Sequence, residues 1–561
     1  MNPAPSTAEN PFTLSDALID DYAALRPIAA TFMGVTGHDH RWDDLSPDGV
    51  SRVADRLTSW RDRLRALPAQ SDRWSKLAVY VMLDWIELEL NAIAHGDHLV
   101  DLNNIASSFQ SLRMVFDSVD TSTTAAWQGL ITRLETLGDA CVGYQRTLEE
   151  GRRQGRAVAR RQVHAAIEQG RVHAGEGSFF RRLPDALAKS GVADEALRAR
   201  LDAAIPRACA AYAALTDYLE QTYLPSARAD DGVGRERYLR DAKRFLGVEL
   251  NPEETYAWGW TEVNRIRAQM QRLAEVIKPG SSIPEVLTLL NTDASRAAPD
   301  RATFLALMRE RQEKALAALD GTHFDVPAPI RRIEVRETPP GGNIGAYYVP
   351  PSEDFSRPGT VWYSLHGDGP FPLFDEVSTA YHEGFPGHHL QCGTQVSLTK
   401  NLCRVHRMAY MYSGYAEGWA LYTEELMHEL GYYEKPEYEF GMLANQMMRA
   451  CRVVFDIGAH LGFTIPKDSF FHADEAWTFD LGVEMMHTVG GMSLAHARSE
   501  VTRYLGWPGQ AISYKVGQRV MLDLRDEYLR AHPDDLKGFH ARVLNTGNVG
   551  LGLLRGLVLG D

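Results

Sequence analysis

The sequence predicts a mainly α-helical protein with one small patch of β-structure, on three observations. Apolar residues recur at three- and four-residue spacing along most of the chain, as in WSKLAVYVMLDWIELELNAIA (74–94) and EALRARLDAAIPRACAAYAALTDYLEQTY (195–223). A helix-start signal stands in NPEETY: Asn251 is the N-cap, Pro252 the first helical residue, and Glu253 and Glu254 favour the positive end of the dipole. β-branched and aromatic runs (IRRIEV, GAYYV, TVWYSL) separated by Pro and Gly gather within residues 325–365.

Taken in order, residues 1–240 read as an N-terminal helical half and residues 241–561 as a C-terminal half that carries the small sheet and the chemistry, the two forming one continuous unit. The basic run GRRQGRAVARRQ (151–162) is read as a solvated helix face. The helix opened by Asn251 should run to about Ile277. From Asp375 helical periodicity returns and continues to the end, interrupted by WPGQ (507–510) and the Gly-rich TGNVGLGLLRG (546–556). Trp85, Trp258 and Trp477 are read as packing residues, and the two histidines of HTVGGMSLAHARSE (487–500) match no ligand spacing.

Composition narrows the function. A chain of 561 residues with 44% hydrophobic and 24% charged residues buries a core, which excludes a disordered or fibrous protein. A net charge of -15 argues against a general binder of nucleic acid or anionic membrane and favours a neutral or basic substrate. The opening MNPAPSTAENPFTLSDALIDDY lacks the basic and apolar regions of a secretory signal, and no apolar run is long enough to span a bilayer, so a soluble, cytoplasmic protein is expected. The five cysteines are scattered and never form C-x-x-C, as free thiols in a reducing compartment do.

The chemistry concentrates in STAYHEGFPGHHLQCGTQ (378–395). In the H-E-x-x-H arrangement, histidines at i and i+4 share one helical face and bind zinc while the glutamate activates water. Here i+4 is Pro386, and the next histidines stand at i+6 and i+7. On a regular helix His388 lies about 240° around from His382, and His389 lies about 20° off its face but roughly 10.5 Å along the axis. Pro386 cannot donate to the carbonyl of His382, and Gly384 and Gly387 permit unusual dihedrals, so a bulge that brings His388 to the metal is expected. His389 is the alternative second histidine.

Two histidines need a third protein ligand if one position is to stay open for water. In MAYMYSGYAEGWALYTEELMHELGYY (408–433), Glu417 stands 35 residues after His382, between the small Ala416 and Gly418 and among Tyr412, Tyr415, Trp419 and Tyr422, a buried setting. Glu424 and Glu425 lie nearer an acidic end read as solvated. The favoured ligands of one Zn2+ are therefore His382, Glu417 and His388, with His389 as the alternative to His388, and Glu383 is the candidate general base. Developing oxyanion charge needs further donors, and ISYKVGQR and CRVVFDIGAH offer Tyr514 first, then Lys515, Arg452 and His460. Arg452 or Lys515 could instead bind a substrate carboxylate.

HEGFPGHHLQ and YAEGWALYTEEL resemble segments of the domain-of-unknown-function 885 family, helical bacterial proteins related to the gluzincin metallopeptidases. DGVGRERY (231–238), GAYYVPP (345–351) and RYLGWPGQAISYKVG (503–517) resemble that family in the same order, so the resemblance spans about residues 15–556. It implies a deep-cleft helical architecture similar to thimet-type oligopeptidases and angiotensin-converting enzyme, and the same ligands and base. It also implies an edge strand at GAYY whose backbone at Ala346 and Tyr347 pairs with an extended peptide substrate. The expected function is a zinc metallopeptidase. A zinc hydrolase of another amide or ester, or a catalytically silent peptide-binding protein, are the alternatives.

Overall fold

The computed structural model describes residues 10–338 and 345–560. Helix takes 67% and strand 4% of the chain, so the helical expectation holds. Residues 1–9, which open the segment read as lacking a secretory signal, and residues 339–344 of the expected sheet lie outside the described residues. Among the described residues, no helix is long and apolar enough to cross a membrane.

The chain divides into two compact units, one comprising Met1–Asp231 with Cys403–Ala409, the other Gly232–Leu402 with Tyr410–Asp561. In the first unit, the helix expected from Trp74 runs Arg73–Ala94, with the carboxylate of Asp72 accepting the backbone N–H groups of Trp74 and Ser75. The second expected helix runs Glu195–Tyr218. Its Leu197, Leu201, Ala204, Ile205, Ala208 and Tyr212 recur at helical spacing and are buried in a core with Trp127, Ile131 and Phe180. The short helix Arg404–Met408 belongs to this unit, where the N–H of Val405 donates to Ser15 Oγ and Arg404 pairs with Asp20.

The second unit follows the sequence closely at its long helix, Pro252–Ile277, capped by Asn251 through the N–H of Glu254. Tyr347–Val349, Thr360–Tyr363 and Glu334–Glu337 form a three-stranded sheet within the expected region. The central strand Thr360–Tyr363 pairs parallel with Glu334–Glu337 and antiparallel with Tyr347–Val349, which leaves the latter an edge strand among the described residues. A second antiparallel pair, Ala297–Ala298 with Phe371–Pro372, lies outside that region.

Two pairs of long helices frame the centre of this unit: Pro252–Ile277 packs on Pro436–Leu461, and Ser413–Glu429 packs on Ser513–Ala531. The second pair meets glycine to glycine. A Cβ built on Gly418 would stand 2.6 Å from Gly517 Cα, so the backbones touch only because neither residue has a side chain. That contact puts Glu417 and Tyr514, each beside or one turn from a glycine of the pair, on facing helices. The Gly-rich tail differs from expectation: after Gly547 the chain re-enters a helix, Leu551–Leu559, whose Leu551, Leu554 and Val558 are buried on one face.

Candidate metal centre

The His-Glu segment is two helices, Glu376–Glu383 and His388–Ser397, with a tight turn between them. The expected bulge inside one helix is therefore a full break. Pro386 supplies no N–H to continue the ladder, the N–H of Gly387 reaches back to the carbonyl of Tyr381, and a Cβ on Gly387 would run into the carbonyl oxygens of Tyr381 and His382. Trp419 of the helix Ser413–Glu429 pins the turn, donating from Nε1 to the carbonyl of Pro386 at 3.0 Å. The break makes His382 and Glu383 the last residues of one helix and His388 the first of the next.

His382, His388 and Glu417 converge, each with one ligand atom within 4.8 Å of the others. Glu417 Oε2 lies 3.4 Å from His382 Nε2 and 3.5 Å from His388 Nε2, and the two imidazoles are nearly perpendicular with centroids 4.9 Å apart. Both contacts are longer than a well-formed N–H···O bond, and Glu417 Oε2 is buried without a hydrogen-bond partner. Ligands about 2.0–2.1 Å from a tetrahedral zinc stand roughly 3.4 Å apart, which fits both separations. An orphaned carboxylate oxygen between two imidazole nitrogens is a donor set suited to a divalent cation.

Electrostatics agree with that fit. Burial and Arg449 oppose charge on His382, but Glu417 and Glu424 outweigh them and its imidazole is pushed up to about 9. Burial likewise opposes ionisation of Glu417, yet the two histidines hold its carboxyl well below the usual carboxylate range. The surroundings of His382 thus favour positive charge.

Glu424 is the residue sequence reasoning misplaced. It is fully buried, not solvated, because the second turn beyond Glu417 faces the same interior. Its Oε1 stands 2.7 Å from His382 Nδ1, and its Oε2 accepts from Ser378 Oγ at 2.7 Å. Arg449 Nη1 approaches Oε1 at 3.4 Å. Burial opposes the charge on Glu424, but Arg449, His382 and Ser378 keep its carboxyl below the ordinary value. An ionised carboxylate only accepts, so Nδ1 of His382 carries a proton and Nε2 is the nitrogen turned to Glu417. The seven-residue spacing to Glu417 was the available signal. Glu424→Gln should retain the fold and lose about 10–100-fold in zinc affinity, measured by chelator competition; unchanged affinity would deny Glu424 this orienting role.

The remaining candidates separate clearly. Glu383 is partly exposed beside His382 and His388, and burial, reinforced by Glu417, raises its carboxyl above the usual value against the lowering pull of the two histidines and Arg449. The Tyr514 ring lies parallel to His382, 6.5 Å between centroids and 16° between planes. His389 faces away: its Nε2–H donates to the carbonyl of Ile330 at 2.7 Å, and its Nδ1 accepts from the Tyr348 hydroxyl at 3.1 Å, which commits both nitrogens and removes it as a ligand. That second bond ties the edge strand holding Tyr347 and following Ala346 to the residue next to His388.

Three sequence assignments are corrected. His460 stands about 16 Å along its helix from Arg449 and is engaged with the carbonyl of Tyr504 and with Asp456, so it is no oxyanion donor. The ammonium of Lys515 is buried and meets Gln446, Gln518 and Glu262 at 3.0, 2.7 and 3.1 Å, which uses its three donors and leaves none for a substrate. Arg452 is directed inward, Nε to the Tyr504 hydroxyl and Nη2 to Glu500, instead of toward a substrate carboxylate.

Comparison with known proteins agrees on the fold. "The crystal structure of the putative lipoprotein from Colwellia psychrerythraea" matches with a TM-score of 0.87 at 23% identity, covering 99% of this chain and 99% of that one. "The structure of a putative lipoprotein of unknown function from Shewanella oneidensis" matches with a TM-score of 0.75 at 18% identity, covering 98% and 100%. No curated protein matches. The family described as "Bacterial protein of unknown function (DUF885)" matches residues 27–558, and the chain belongs to that family.

Proposed function

We propose that the protein is a zinc-dependent metallopeptidase that hydrolyses peptides by means of an activated water. The observation that carries this reading is the orphaned Glu417 oxygen between the Nε2 atoms of His382 and His388, with Glu383 adjoining. The resemblance of HEGFPGHHLQ and YAEGWALYTEEL to gluzincin metallopeptidases, carried by these same residues, is in line with it.

Zinc held by His382, His388 and Glu417 would polarise the scissile carbonyl and acidify the attacking water. Glu383 takes the proton released as that water's oxygen bonds to the carbonyl carbon, and returns it to the leaving amine as the C–N bond breaks. The phenol of Tyr514 donates to the carbonyl oxygen as it gains negative charge. Tyr347–Val349, at the edge of its sheet among the described residues, is placed as a strand along which an extended chain could lie, which favours a peptide over a small ester. Retention of Glu383 favours catalysis over silent peptide capture.

The test is a peptide library incubated with zinc-loaded protein and read by mass spectrometry for new termini. Cleavage that a chelator stops and zinc restores is expected; a folded, zinc-loaded protein that cuts no peptide would overturn the reading.

A further inference from the structure

Tyr514 is held by more positive charge than packing needs. The guanidinium of Arg452 lies 4.8 Å from the centre of its ring and that of Arg449 5.7 Å, while His382 stacks on it. Arg452 is itself fixed: Nε donates to the Tyr504 hydroxyl at 2.8 Å, Nη2 to Glu500 Oε2 at 3.0 Å, and the Tyr504 hydroxyl donates to that same oxygen at 2.8 Å. Arg503 also binds Glu500, through Nε and Nη2, both at 2.8 Å. One carboxylate therefore serves two guanidiniums, one of which, that of Arg452, also lies over the face of Tyr514. The other arginine, Arg449, is already paired with Glu424. Tyr514 is partly exposed, and its hydroxyl bonds to no described residue. A phenol gripped at its ring and unengaged at its oxygen is arranged to donate outward.

We infer that Arg452 is a positioning residue that acts through Tyr514, with Glu500 and Tyr504 as its anchor, holding the phenol as a hydrogen-bond donor toward a substrate oxyanion. A guanidinium over an aromatic face is attracted to the ring electrons, fixing the plane of the ring and polarising the phenol toward donation. The plane of Arg matters, so Lys at this position keeps the charge near Glu500 and loses the stacking. The inference rests on the peptidase reading for its chemistry, and on the geometry alone for the clamp.

The experiment is a double-mutant cycle in the full-length, zinc-loaded protein, with fold checked by circular dichroism and zinc content by elemental analysis. Tyr514→Phe should lower kcat about 10²–10³-fold, as loss of one oxyanion donor does. Arg452→Met should lower kcat roughly tenfold with KM little changed, Arg452→Lys should fall between it and wild type, and neither should matter further once Tyr514 is Phe. Equal effects of Arg452→Met in both backgrounds, or an effect confined to KM, would overturn the inference. A second readout needs no turnover: with 3-fluorotyrosine at position 514, the 19F resonance should be single and narrow in wild type and shifted or broadened in Arg452→Met. Should the wild type cleave nothing, the peptidase reading falls while this resonance still decides the clamp, and an unchanged resonance overturns it.

Discussion

Purified protein is expected to hold about one zinc ion per chain, and His382→Ala, His388→Ala and Glu417→Ala each to reduce that to near none, while His389→Ala keeps it. The contrast between adjacent histidines makes the expectation sharp. His388 points its Nε2 at Glu417, whereas both nitrogens of His389 are spent on Ile330 and Tyr348. Elemental analysis of folded variants measures the outcome. Metal retained in Glu417→Ala, or lost in His389→Ala as completely as in His388→Ala, would refute the assigned ligand set. Loss of a ligand should also destabilise the zinc-loaded protein, because a ligand that binds only the folded state adds its binding free energy to stability.

The second large effect concerns the base. Glu383→Gln should keep the zinc and the fold yet lower kcat about 10²–10⁴-fold, since the amide cannot take the proton of the attacking water. Gln preserves the shape of a side chain that burial and Glu417 already push toward the neutral form, so the folded state tolerates the exchange. Steady-state kinetics on any cleaved peptide, with zinc content measured on the same sample, separates this from metal loss. Full activity in zinc-replete Glu383→Gln would assign the proton transfer to another group.

Much of this arrangement was legible in the sequence. Helix periodicity located the long helices, because a 3.6-residue repeat of apolar side chains is a local property. Asn251 marked its helix start through a cap that needs only its own neighbours. Three histidines and a glutamate within eight residues pointed to the segment where His382 and His388 meet Glu417, and small residues around Glu417 announced close packing. What stayed hidden depends on distant partners. Glu424 looked solvated beside Glu425 until Arg449 and Ser378, from two other helices, surrounded it. Lys515 and His460 looked available because their partners, Glu262 and the carbonyl of Tyr504, are remote in sequence.

The break between Glu383 and His388 bears on how such centres can be found at all. In a continuous helix the spacing of two ligands is dictated by the pitch, and a four-residue interval is the natural solution. Here residues 384–387 interrupt the helix, so the interval is set by the length of a turn, with one histidine at the end of a helix and the other at the start of the next. A pattern written for fixed spacing passes over this chain. One written for a helix that stops at His-Glu and restarts at His, with Gly and Pro between, detects it, and with it other proteins that build the same donor set from two helix ends.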